Sequence, residues 1–139
     1  MPSYLSNNNP NTTAPSYSDI DPSMLMNTKT NDLMVLQNTK SVRQSIMNLL
    51  MTAYGERLFQ PNIGGSIRAL LFEPIDPLTT FELRDRILNT LRNHEPRIGT
   101  LYVDVVSQPD SNSYKIGVEF TLRGTGERDR ITTVLERIR

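Results

Sequence analysis

The run Tyr114-Lys115-Ile116-Gly117-Val118-Glu119-Phe120-Thr121-Leu122-Arg123 alternates apolar and polar side chains without a break. A period of two places Tyr114, Ile116, Val118, Phe120 and Leu122 on one face of an extended chain. The segment is therefore a half-buried strand that needs another layer to cover that face. Residues 98–107 supply a partner across a turn at Gln108–Ser113, with Leu101, Val103 and Val105 on one face. The last segment has two readings. Ile131, Val134, Leu135 and Ile138 recur at helical spacing, yet Ile131-Thr132-Thr133-Val134 is β-branched throughout. Taking residues 129–138 as a strand extends the pair into a three-stranded meander, with Gly124-Thr125-Gly126 as the turn.

The covering layer is helical. Ser41 and Gln44 have capping-box spacing, and Gly55 is placed to end the helix in a left-handed conformation. Val42, Ile46, Leu49, Leu50 and Ala53 form its stripe, widened by Met47, Met51 and Tyr54, while Ser45, Asn48 and Thr52 line the other side. So broad an arc implies packing on more than one side. A second helix takes Thr79 as N-cap and Glu82 as the return of a capping box, with Leu78 and Leu83 as a hydrophobic staple. Phe81, Leu83, Ile87, Leu88 and Leu91 form its arc, and Pro96 stops it near His94-Glu95. Arg84 falls inside that arc and needs a carboxylate, the surface rim or a partner protein. Between the helices, residues 55–65 read as a Pro- and Gly-punctuated loop and Ser66–Phe72 as a short helix. Leu33-Met34-Val35-Leu36 reads as a strand or an extended lead-in. The fold class is α+β: two main helices packed on a small, mainly antiparallel C-terminal β-meander.

Composition divides the chain. Of residues 1–31, 19 are Asn, Ser, Thr or Pro, and only Asp19, Asp21 and Lys29 are charged. Such a stretch buries too little apolar surface to offset the entropy of ordering it. We expect an extended polar arm over residues 1–31 and a single α+β domain over 32–139. Tyr17, Asp19, Ile20, Asp21 and Pro22, followed by Met24-Leu25-Met26, form a denser patch that suits docking on a neighbour.

Several function classes fall away. The 139 residues carry 15 Lys+Arg and 15 Asp+Glu, one His and no Cys. Zero net charge gives no electrostatic surplus for nucleic acid or an anionic membrane. Without Cys there is no disulfide, thiol or zinc-thiolate chemistry, and His94 alone makes no metal site. No cofactor is expected. No apolar run reaches the ~18 residues of a membrane span, and no basic-then-apolar leader opens the chain, so a soluble protein of a reducing compartment is the default. Twelve of the 15 basic residues are Arg, which suits planar pairing with carboxylates across protein contacts. Glu73, Asp76 and Glu95 are candidate members of a carboxylate pair for glycoside hydrolysis, but each is more simply a cap, a turn residue or an Arg partner. Gly64-Gly65-Ser66 is a tight turn rather than an anion cradle. We expect no enzyme.

Glu95-Pro96-Arg97-Ile98 stands apart, at the junction of helix and meander. Pro96 fixes the backbone between two opposite charges. They form either a hinge with a local ion pair, contributing about 0–1 kcal/mol if exposed, or a rigid plug for another protein. Local physics does not separate the two.

Together, Tyr17-Ser18-Asp19-Ile20-Asp21-Pro22, the Arg57-x-Phe59-x-Pro61-x-x-Gly64 loop, Leu71-Phe72-Glu73, Pro77-Leu78-Thr79 and Glu95-Pro96-Arg97-Ile98 resemble, in order, the baseplate wedge family of contractile-tailed bacteriophages. This is the sheath-initiator family once labelled lysozyme-like, related to a type VI secretion baseplate subunit. The resemblance covers residues 17–139, and residues 1–16 have no counterpart. It implies a structural role in the tail baseplate of a virion, assembled in the host cytoplasm in six copies, joining the wedge to the sheath. It implies that Glu95, Pro96 and Arg97 contact the helical core bundle of larger wedge proteins. It also implies that the C-terminal sheet templates the tail sheath protein by strand augmentation, through Tyr114, Ile116, Val118, Phe120, Ile131, Thr133 and Leu135. Tube or tube-initiator proteins are a further partner class. The alternatives are a peptidoglycan-cleaving, lysozyme-like enzyme acting through Glu73 or Glu95, and a free regulatory binding module on the same fold.

Overall fold

A computed structural model describes residues 17–137; the expected tail over residues 1–16 and Ile138 lie outside the described residues. The architecture is α+β. Strands β5 (Ile98–Gln108), β6 (Ser113–Leu122) and β7 (Arg128–Glu136) form an antiparallel sheet in the order β5-β6-β7. The last segment is thus a strand. β-Branched side chains at four successive positions fit a pleated surface better than a helix, where their χ1 freedom is lost.

The alternation read from β6 sets the core. Its inward residues meet Val103 and Val105 of β5, and Ile131 and Leu135 of β7, at Val118, Ile116, Val118 and Tyr114 respectively. Helices α1 (Thr39–Met51) and α3 (Pro77–His94) cover that face through Val42, Ile46, Leu50, Leu83, Ile87 and Leu91, all buried. Four-residue α2 (Ile67–Leu70) closes the side. Fully burying one such aliphatic side chain stabilises by about 1.5–3 kcal/mol. At the start of β5 one extra residue between Ile98 and Leu101 makes a bulge; the Thr100 N–H is taken by Thr121 Oγ1 at 2.8 Å instead of a ladder carbonyl.

Helix ends depart from expectation at both main helices. α1 starts two residues before Ser41, with Asn38 as N-cap, and Ser41 is wholly buried rather than capping. It also ends at Met51, short of Gly55, which turns the loop beyond with φ 80°. α3 starts at Pro77, and Asp76 caps it by accepting the Thr79 N–H at 2.6 Å. A carboxylate before an N1 proline meets the preference for that position better than Thr79 can from the first turn. Leu83 is buried but Leu78 is exposed, so the expected staple does not form, and Phe81, expected in the buried arc, is exposed as well. Arg84 leaves the helix arc for the sheet rim, where Nε donates to the Val103 carbonyl at 3.0 Å.

The loop at Gly64-Gly65 packs on the end of α1. Gly65 N–H donates to the Thr52 carbonyl at 3.3 Å. At Gly64, φ is 135° and a Cβ would lie 2.6 Å from that same oxygen, so only glycine fits.

Residues on both sides of position 31 pair with one another. β1 (Ser18–Ile20) lies antiparallel to β4 (Val35–Gln37), and β2 (Met26–Asn27) to β3 (Asp32–Leu33). The resulting ribbon keeps Ile20, Met24, Leu25, Met26 and Val35 exposed.

Candidate assembly interface

The turn after α3 builds a charged node. Glu95 N–H donates to Leu91 O, ending the helix, and Glu95 O accepts the Ile98 N–H at 3.3 Å. Pro96 occupies the second position of that four-residue turn, where its fixed φ is favoured. The turn folds Arg97 back on Glu95: Nε reaches Oε1 at 2.7 Å and Nη2 reaches Oε2 at 2.8 Å. Glu95 is only 3% exposed. Its carboxylate therefore faces the protein, and the two charges satisfy each other inside the chain.

Arg97 has a second side. Its Nη1 donates to Asp19 Oδ2 and to Ser41 Oγ, each at 3.0 Å, and the Ser41 hydroxyl in turn donates to Asp19. The guanidinium lies 5.8 Å from the centre of the Tyr17 ring, and the Tyr17 hydroxyl donates to Arg123 O at 2.9 Å. Two of the five expected arm-docking residues, Tyr17 and Asp19, thus dock on Arg97 of their own chain. Ile20 stays exposed, Asp21 accepts the Ser23 N–H at 2.8 Å, and Pro22 lines a groove. That groove, of about 280 Å³, is bordered by Asp19, Pro22, Ser45, Arg57, His94 and Arg97. Ser41 and Ser45 are members the sequence reading missed. Ser41 reads in sequence as a helix cap, and Ser45 as one residue of the polar side of that helix.

The electrostatics follow the geometry. Hydrogen bonds from Ser41 and then Arg97 hold the Asp19 carboxyl below its ordinary value. Burial pushes Glu95 up, but the bonds from Arg97 and Ser45, with the Arg97 charge, outweigh it and leave the carboxyl lowered. The bond to Glu95 likewise raises Arg97, against its burial. A general acid for glycoside cleavage needs a raised carboxyl. Glu95 is held ionised, and Asp76 is lowered by the Thr79 N–H it caps. Among the described residues no group of His, Asp and Glu is placed to hold a metal ion, and no helix is long and apolar enough to cross a membrane.

The sheet offers a different kind of surface. Its middle strand is β6, with both backbone edges paired. Tyr114, Ile116, Val118 and Phe120 are therefore core residues, not an accessible template: their side chains are buried and their backbones taken. The open edges belong to β5 and β7. Bonds from Leu122 N–H to Glu127 O and from Arg137 N–H to Asn112 O show that even-numbered residues of β6 face β7. With that register, β7 turns the backbone groups of Thr132, Val134 and Glu136 outward. Ile131 and Leu135 point their side chains into the core, and Thr133 is half-buried.

Known proteins resemble this chain in sequence and in fold. The model of the baseplate wedge protein gp25 family matches residues 36–127. Baseplate wedge protein gp25 of Enterobacteria phage T4 is 33% identical over 106 residues, which is 76% of this chain and 80% of that protein. A crystal structure from Geobacter sulfurreducens, named as a proposed tail lysozyme, superposes with a TM-score of 0.68 at 27% identity, covering 76% of this chain and 97% of that one. A chain of the type VI secretion baseplate complex shares the fold, with a TM-score of 0.58 at 18% identity over 68% of this chain and 89% of its own. With two thirds of its length inside the family match, the chain belongs to the family of baseplate wedge protein gp25.

Proposed function

We propose that this chain is a non-enzymatic structural part of a contractile-tail baseplate, joining the wedge to the sheath and templating the first sheath ring through the β7 edge. The observation that carries this reading is the outward run of backbone groups at Thr132, Val134 and Glu136, unpaired among the described residues, on a strand whose other side is locked to β6. Such an edge accepts a further strand by main-chain hydrogen bonding. Each bond contributes about 0.5–1.5 kcal/mol net, so one contact is modest. Six copies on a ring would make attachment strong through effective concentration.

In this reading the partners are larger wedge proteins, at Pro96 and the outer side of Arg97, and the tail sheath protein at β7. Tube or tube-initiator proteins are further neighbours. Glu95 acts behind that contact, holding the guanidinium in place. The chain divides into an arm over residues 1–31 and a domain over 32–139, with Tyr17 and Asp19 anchoring one to the other. It is assembled in the host cytoplasm and carried in the virion tail baseplate.

The test must spare the core, because Ile131 and Leu135 are buried and removing β7 would unfold the sheet. Val134→Pro deletes an outward N–H that the sheet does not use, and edge strands tolerate proline. Tails carrying Val134→Pro should show complete baseplates without sheath by electron microscopy. Normal sheaths on such particles would sink the proposal.

A further inference from the structure

The two free edges of the sheet are not equivalent. On β5 the outward backbone groups belong to Leu101, Val103, Val105 and Ser107, since β6 takes the others. Arg84 reaches from α3, on the inner face, to the Val103 carbonyl at 3.0 Å. Its guanidinium carbon lies 6.0 Å from the ring centre of Tyr102, whose side chain stands on the opposite face. The arginine therefore wraps the edge. A neighbouring strand would sit about 4.8 Å from β5, in the volume that this guanidinium fills. The bulge at Thr100 breaks the ladder nearer the strand start. Only Val105 and Ser107 remain as adjoining open rungs.

On β7 the obstruction sits at one end. Arg130 turns its backbone outward, but its N–H donates to Asp129 Oδ1 at 2.8 Å. Its carbonyl accepts a longer contact of 3.4 Å from Arg43 Nη2. Arg43 is held there by Asp129, at 3.1 Å from Nε and 2.6–2.7 Å from Nη2. Beyond this clamp, Thr132, Val134 and Glu136 run unobstructed by any described residue.

We propose that helix-borne arginines gate the two edges unequally: Arg84 closes β5 to strand addition, while Arg43 with Asp129 sets Thr132 as the first rung open to an incoming strand on β7. The occupant is one extended strand of the sheath subunit, so the proposal rests on the function given above. Arg84 then explains its own position. Its exposed side chain covers an edge that would otherwise pair with any exposed strand.

Hydrogen exchange on the full chain, with and without the sheath subunit of the same tail, reads the register. Binding should slow the amides of Thr132, Val134 and Glu136 by about tenfold or more, with no change at Val105 and Ser107. Slowing at Val105 and Ser107 in the wild-type complex overturns the gate. Sedimentation velocity provides the second arm. Arg84→Ala should take two sheath subunits per chain or form edge-to-edge dimers, whereas Arg84→Lys, which keeps a donor on a long stem, should remain monomeric and bind one. An Arg84→Ala chain that stays monomeric and binds one also overturns the gate. If the wild type takes no sheath subunit, the template function fails, and the gate is then judged by self-association of Arg84→Ala alone.

Discussion

Arg97 grips Glu95 with two nearly parallel hydrogen bonds, Nε to Oε1 at 2.7 Å and Nη2 to Oε2 at 2.8 Å, across the single residue Pro96. The pair is asymmetric in its exposure: the Glu95 side chain is 2% exposed and that of Arg97 is 22%. The carboxylate thus depends on the guanidinium, while the guanidinium keeps a face for Asp19, Ser41 and the solvent. A motif that reads equally as a local ion pair or as a two-charge plug is, in the folded chain, a cation on a buried anionic seat, with its outer side bonded to Asp19 and Ser41.

Folding should therefore depend on Arg97. Arg97→Ala strands a buried carboxylate and should cost about 2–4 kcal/mol, below the top of the range for broken buried pairs because the outer side of Arg97 is wet. Arg97→Lys keeps the charge but loses the parallel bonds, and should cost less. Urea unfolding of the three proteins checks this. A fully stable Arg97→Ala would show that Glu95 does not need its partner.

Acid should loosen the same node. Asp19 and Glu95 have folded pKa values below their ordinary 3.8 and 4.5. Depressed carboxyls stabilise fully above those ordinary values, and the stabilisation is lost as pH falls through the lower folded ones. The Tm should be level from pH 7 to about 5 and fall below that. In Arg97→Ala, burial is left to act on Glu95 without its main counterweight, so the Glu95 contribution should change sign and favour the folded state as pH falls. Parallel melting curves at pH 3.5 and 7 distinguish the cases; the same slope in both proteins would refute the assignment.

Tyr114 makes an opposite prediction. Its hydroxyl is buried and has no hydrogen-bond partner among the described residues, and burial raises its pKa first of all, with Asp76 adding to the rise. Removing an unsatisfied polar atom without removing the ring should help. Tyr114→Phe should gain about 1 kcal/mol in chemical denaturation; a loss of similar size would mean the hydroxyl has a partner in solution.

Much of the scaffold was legible in residue order because it rests on local periodicity. The alternation from Tyr114 to Leu122 and the helical stripes at Val42–Leu50 and Leu83–Leu91 each follow from side-chain direction along a regular backbone. The turns at Pro96 and Gly124 were equally local. Cap identity was less so, since Thr79 and Asp76 are both good caps and the choice went to the residue that lets Pro77 open the helix.

Residue order was enough for the two main helices, the β5–β6 pair with its buried face, and a charge pair fixed around Pro96. Only the folded chain brings Tyr17 and Asp19 over Arg97 and turns the Glu95 carboxylate inward. Those choices depend on groups brought together from 21 to more than 100 positions apart, as with Tyr17 and Arg123. Periodicity carries no information about such pairs, because a burial pattern records that a side chain is covered but not what covers it.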